Sequence, residues 1–213
     1  NVQKRILQIL CMALIAVTGI YSFAHAVLLP TFQYDSATNW TMRSQISFVD
    51  QKISFDPTEE RGMAKPQYPF LFHALQITAN QGQNPWSDTA ANAILWLLSL
   101  SSFVALFLIL RTILQRTAAL VTVTMILGIP LLSLHLGQGY ADIVLLQELL
   151  LSLGLLHAWI KTKEAKWLIL SAIFVASAVW TKSEGLILGL LPWLLVVTGI
   201  VLIDPAQKKT VLQ

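Results

Sequence analysis

Three short polar stretches carry the residue types that acid–base and phosphate chemistry require. Asp35 falls in Thr31-Phe32-Gln33-Tyr34-Asp35-Ser36, directly after a long apolar run. Asp142 ends Gly137-Gln138-Gly139-Tyr140-Ala141-Asp142, and Lys182 and Glu184 lie in Thr181-Lys182-Ser183-Glu184-Gly185. A carboxylate at the end of a membrane span is partly shielded from water, which makes it a better base towards a hydroxyl proton. The same position suits a helix cap or an interfacial carboxylate, and both readings of Asp35 stand at this level. Asp142 suits the N-terminus of the following helix, where free N–H groups favour an acid, and capping is compatible with lining a site. Lys182 and Glu184 read either as a solvated ion pair or, for Lys182, as a point charge that stabilises a departing phosphate oxygen.

Other polar residues carry less. Glu148 lies inside an apolar run, where a carboxylate is costly unless it faces protein, and a hydrogen bond between helices is the preferred reading. His25, His73, His135 and His157 show no metal-ligand spacing and read as packed or interfacial residues. Asn39-Trp40-Thr41 matches a glycosylation sequon, a triplet common by chance. There is no Gly-rich phosphate loop, nucleophile elbow or HExxH.

The elements that must position these residues are apolar helices. Only 12% of the 213 residues are charged and 55% are hydrophobic, against about a quarter charged in soluble domains. The reading is an all-α polytopic membrane protein with about six transmembrane helices, at 6–29, 90–110, 118–136, 143–160, 167–180 and 186–203. These form a single transmembrane domain over 1–213. The net charge of +3 comes without a basic patch interleaved with aromatics, so nucleic acid is set aside. The lone Cys11 excludes an intrachain disulfide. Because the chain begins at Asn1 and ends in a polar stretch, it is expected to be part of a longer protein.

The long loop 30–69 is expected to hold short interfacial helices: one over 36–49, and a helix start at Asp56-Pro57-Thr58-Glu59-Glu60. The segment 68–79 is too short to span, and 80–88 is a turn. Six spans put Lys4, Arg5, Arg111, Arg116, Lys161, Lys163, Lys166, Lys208 and Lys209 on one side. Arg43, Lys52, Arg61, Lys65 and Lys182 fall on the other, which holds the longest loop. The positive-inside rule makes the first side cytoplasmic, so the loops of Asp35, Asp142 and Lys182 face outward together.

In order along the chain, Tyr34-Asp35-Ser36, Tyr68-Pro69-Phe70-Leu71, Gly139-Tyr140-Ala141-Asp142 and Ala178-Val179-Trp180-Thr181-Lys182-Ser183-Glu184-Gly185-Leu186 resemble motifs of the GT-C glycosyltransferases. The likeness is to the protein O-mannosyltransferase-like branch, which includes the aminoarabinose transferases. It implies a polyprenyl-phosphate sugar donor and transfer with inversion to a hydroxyl of a glycan, lipid or protein on the extracytoplasmic or lumenal side. A multi-pass protein of a bacterial inner or plasma membrane is expected. By motif, Asp35 is the implied catalytic base, Asp142 lines the donor or acceptor site, and Lys182 approaches the lipid phosphate. Tyr140 and Glu184 are carried with their motifs as substrate-binding, and Arg43, one helix beyond Asp35, is a further phosphate candidate. Ser36 stands where a second acid often follows, so no metal site of paired carboxylates is implied there. No cofactor is assigned, and a divalent cation stays open. Two other classes compete: a transporter or flippase-like protein using Glu148 as an intramembrane coupling acid, and a non-catalytic scaffold indifferent to Asp35.

Overall fold

The computed structural model describes residues 2–56, 58–59 and 68–203, and among these every regular element is helical. Helix α1 spans Val2–Leu28, followed by a π-helical turn Ser36–Trp40 that runs into α2, Thr41–Val49. Then come α3 (Leu71–Ala79), α4 (Asp88–Arg111), α5 (Arg116–Leu127), α6 (Pro130–His135), α7 (Ala141–Thr162) and α8 (Ala165–Thr181). A second π-helical turn, Leu186–Leu190, continues into α9, Leu191–Ile203.

Among the described residues, four helical stretches are long and apolar enough to cross a membrane: Val2–Leu28, Asp88–Arg111, Ala141–Thr162 and Leu186–Ile203. Helix α7 is the central one, with 56% of its most apolar window buried against 6% for the last stretch. It packs along α8 and α4. One apolar core joins Phe103 and Leu106 of α4, Val123 and Leu127 of α5, and Leu132 of α6 to Ile143 of α7. A second joins Trp40 of the first loop and Phe72 of α3 to Leu95 of α4 and Val144 of α7. That second core fastens the polar loop to the end of the bundle.

The single span expected over 118–136 is divided in two. Helix α5 stops at Gly128, Ile129 is extended (φ −70°, ψ 114°), and Pro130 opens α6 at its first turn. Proline pushes the residue before it out of the helical region, lacks the N–H that would continue the ladder, and is well suited to a first helical position. Helix α8 is a single helix of 17 residues, about 25 Å at 1.5 Å per residue. The expected loop helix over 36–49 is present as the π turn and α2. Pro57 and Glu60 of the expected helix start lie outside the described residues, as do Arg61, Lys65, Lys208 and Lys209. Asp56 is not helical; its carboxylate accepts from the backbone N–H (2.8 Å) and hydroxyl (2.7 Å) of Thr58 in a local turn.

Candidate active site

Trp40 is the hub at which the three chemical loops meet. Its indole N–H donates to Asp35 Oδ2 at 2.9 Å, and Asn39 donates to Oδ1 of the same carboxylate. Residues five apart diverge around an α-helix, but a π turn closes its backbone bonds from i to i+5 and brings them together. The turn Ser36–Trp40 follows Asp35 directly, so it returns Trp40 to the aspartate. The carboxylate thus bonds side chains rather than the free N–H groups of the helix start.

On the other side of the indole lies Lys182, its Nζ 5.7 Å from the ring centroid. That ammonium donates to Asp142 Oδ1 at 2.7 Å and lies 3.5 Å from Glu184 Oε1. The lysine side chain is only 14% exposed, whereas those of Asp142 and Glu184 are about half exposed, at 50% and 47%. The pair is therefore more enclosed than a solvated surface bridge. Burial acts to lower the Lys182 pKa, but the hydrogen bond and charge of Asp142, with Glu184 behind them, outweigh it and hold the ammonium above its ordinary range. The sequence places Lys182 here because α8 ends at Thr181 and the chain turns extended at Lys182 (φ −156°, ψ 144°). The turn then doubles back so closely that a Cβ on Gly185 would stand 2.2 Å from the carbonyl oxygen of Ala178. Only glycine fits that approach.

Asp142 lies in the first turn of α7, where the helix dipole favours it, and its carboxylate is given to Lys182. Tyr140 precedes the helix and stacks on His135, ring centroids 3.8 Å apart and planes 15° from parallel. Burial first, then the negative charges of Asp35 and Asp142, hold the Tyr140 phenol above its ordinary range, so the phenol lies in the field of both acids. Gly139 takes a left-handed conformation (φ +66°), and its carbonyl accepts from Ser36 Oγ at 3.1 Å. A Cβ there would meet Ser36 Oγ at 2.9 Å, so the loop carrying Tyr140 is seated directly on the turn carrying Asp35. Gln138 fixes the same loop from behind, accepting from Phe32 N (3.4 Å) and approaching His25 Nδ1 (3.2 Å).

The structure therefore brings Asp35, Tyr140, Asp142, Lys182 and Glu184 to one end of the bundle, around Trp40. Arg43 lies apart from that group, in the interior of the first loop. It is 1% exposed; its guanidinium donates to Tyr68 O (2.9 Å) and Ser54 O (3.4 Å) and stacks between Phe55 and Phe70. Its neighbour His73 is stacked on Trp40 at 5.7 Å and bonds Trp40 O through Nδ1. The Arg43 guanidinium approaches His73 Nε2 at 3.4 Å, one residue removed from the indole. Burial, and then the Arg43 charge, push the His73 pKa down to about 3, so the ring is neutral in the folded chain. An unfolded histidine titrates near about 6.5. Below that value the unfolded chain gains a proton that the folded chain refuses. Stability should fall between about pH 6.5 and 3, by up to about 1.4 kcal/mol per pH unit from this group. Thermal unfolding midpoints in detergent at pH 7.5 and 5.0 check this; His73→Gln should shrink the difference.

Glu148 sits deeper on α7, 8% exposed and near Thr181 of α8. Among the described residues no three His, Cys, Asp or Glu side chains are grouped to hold a metal ion. The residues missed by sequence reasoning are Trp40 and Gln138. Trp40 did carry a signal, as a large aromatic inside a polar loop, but no α-helical spacing links it to Asp35.

Helices of this length and apolarity define a membrane protein. Residues 67–212 match the family model described as dolichyl-phosphate-mannose-protein mannosyltransferase, and the chain belongs to that family, within the GT-C superfamily. It is accordingly a glycosyltransferase of the GT-C type. The matched region contains Tyr140, Asp142, Lys182 and Glu184; Asp35 and Arg43 precede it. Neither the curated proteins nor the solved structures contain a match.

Proposed function

We propose that this chain transfers a sugar from a polyprenyl-phosphate donor to a hydroxyl acceptor, with inversion, on the extracytoplasmic or lumenal side of a membrane. Asp35 takes the acceptor's hydroxyl proton while the acceptor oxygen forms the bond to the anomeric carbon. The bond from that carbon to the phosphate oxygen breaks with its electron pair, and polyprenyl phosphate departs. Lys182 meets the charge growing on the phosphate, where a fixed cation is worth most. Asp142 and Glu184 hold the ammonium in place, and Tyr140 walls the site between the two acids. The carrying observation is Trp40, which bonds Asp35 through its N–H and supports Lys182 on its face.

The topology that supports this reading has six crossings, with α5 and α6 counted as one broken span and α8 as a short one. Lys4, Arg5, Arg111, Arg116, Lys161, Lys163 and Lys166 then fall at the end opposite Asp35, against fewer basic residues beside it, and the positive-inside rule makes that opposite end cytoplasmic. A bacterial inner or plasma membrane suits the motif forms.

Two outcomes follow. Trp40→Phe keeps an aromatic face for Lys182 but deletes the donor to Asp35; a hydrogen bond to a charged group is worth enough that turnover should fall about ten- to a hundredfold. Turnover in reconstituted vesicles measures this, and Trp40→Ala should be worse. The reading as a whole is tested by supplying the protein in lipid vesicles with a labelled polyprenyl-phosphate hexose and a hydroxyl acceptor. Release of polyprenyl phosphate with glycosylation of the acceptor is expected. Consumption of nucleotide sugars, with polyprenyl-phosphate hexoses left untouched, would overturn the donor assignment.

A further inference from the structure

We infer that the cleft between α2 and the turn before α4 binds a neutral saccharide, distinct from the site around Trp40. The cleft holds about 420 Å³ and is walled by Gln45, Phe48, Gln51, Gln83, Asn84 and Trp86, with Val49 and Pro85 completing the lining. That volume falls within the range of about 300–1,000 Å³ common to small-molecule sites.

Four of the eight lining side chains are primary amides. Each offers two N–H donors and a carbonyl acceptor, which matches hydroxyls that donate and accept at once. Among the described residues no ionisable side chain lines the cleft, and amides with aromatic rings suit a neutral ligand better than a phosphate or a charged peptide. Two more lining side chains are aromatic: Phe48 and Trp86 meet edge to face, 5.5 Å between centroids at 66°. The electron-rich face of such a ring attracts the polarised C–H bonds on the apolar face of a sugar. Amides for the hydroxyls beside rings for the C–H face are the two halves of saccharide recognition.

Trp86 is held firmly for that task. Its indole N–H is already given to Asp88 Oδ1 (2.8 Å), so the ring contributes its faces. The next residue, Ser87, donates its backbone N–H to the buried Asn80 at 2.7 Å. The other oxygen of Asp88 accepts from Thr31 N at 3.0 Å, which ties the cleft wall to the segment leading into Asp35. Phe48 lies eight residues beyond Trp40 on the same helical run, about 12 Å along the axis. An oligosaccharide, rather than a single hexose, would reach from the cleft towards Asp35. The inference rests on the proposed transfer only in making that saccharide the acceptor.

Saturation-transfer difference NMR on the protein in lipid nanodiscs, with mannotriose, maltotriose and chitotriose as probes and no donor present, tests this directly. At least one trisaccharide should receive saturation, strongest on C–H protons of one ring face. Trp86→Ala should weaken binding about tenfold or more, and Gln45→Ala/Gln83→Ala, both exposed, should do the same without touching the aromatic wall. Asp35→Asn should leave binding unchanged. Binding by none of the three, or binding that survives both cleft variants, would overturn the inference. Binding by a protein that transfers no sugar would keep the cleft and discard the transferase mechanism.

Discussion

Asp35→Asn is expected to reduce sugar transfer by about 10²–10⁴-fold, the range a positioned general base supplies. Asparagine keeps a carbonyl oxygen for the Trp40 N–H at the position that now accepts it at 2.9 Å. What it loses is the capacity to take the acceptor's proton. The folded protein should therefore survive with its thermal midpoint near that of wild type, and donor affinity should change little. Single-turnover release of polyprenyl phosphate in vesicles, alongside equilibrium binding of the donor, separates the two. Wild-type turnover by a folded Asp35→Asn protein would remove Asp35 from the chemistry. It would not disturb the position of Lys182.

Lys182→Ala should have the second largest effect, about 10²–10³-fold in kcat/KM, comparable to deleting a donor aimed at developing negative charge. Two causes act together. The phosphate loses its cation, and Asp142 and Glu184, now unneutralised at 2.7 and 3.5 Å from the vacated ammonium, repel the donor. Adding Asp142→Asn to Lys182→Ala should recover part of the loss in donor affinity and none of the lost stabilisation of the leaving group. Lys182→Arg should keep charge but misplace it, since a planar fork does not sit on the Trp40 face and reach Asp142 with the same geometry. A donor KM that is unchanged in Lys182→Ala would contradict the phosphate role. Stability should change modestly, because both acids are about half exposed to water and their pairing is screened.

The membrane class and the loop helix over 36–49 were legible because they depend on composition, hydrophobic run length and local patterning. The break at Gly128-Ile129-Pro130 was also written in the sequence, yet run length alone absorbed it into one span. The convergence of Asp35, Tyr140, Asp142, Lys182 and Glu184 depends on packing between α7 and α8 and on the close approaches at Gly139 and Gly185, which no local pattern encodes. Arg43 shows the reverse difficulty. A basic residue in a polar loop looks the same whether it awaits an anion or binds carbonyls far along the chain, and here Tyr68 and Ser54 supply those carbonyls. Trp40 was hidden because its partner stands five residues away, a separation that only a π turn closes.

The central claim is a single displacement by the acceptor, with Asp35 as its base and the second acid, Asp142, bound to Lys182 and so withheld from attack on the sugar. The anomeric configuration of the product, read by NMR from a donor of known configuration, tests that claim most directly. Inversion at the anomeric carbon is the result this site predicts. Retention would require a glycosyl-enzyme intermediate or an equivalent second displacement and would contradict the assignment of Asp35 as the base of a one-step transfer.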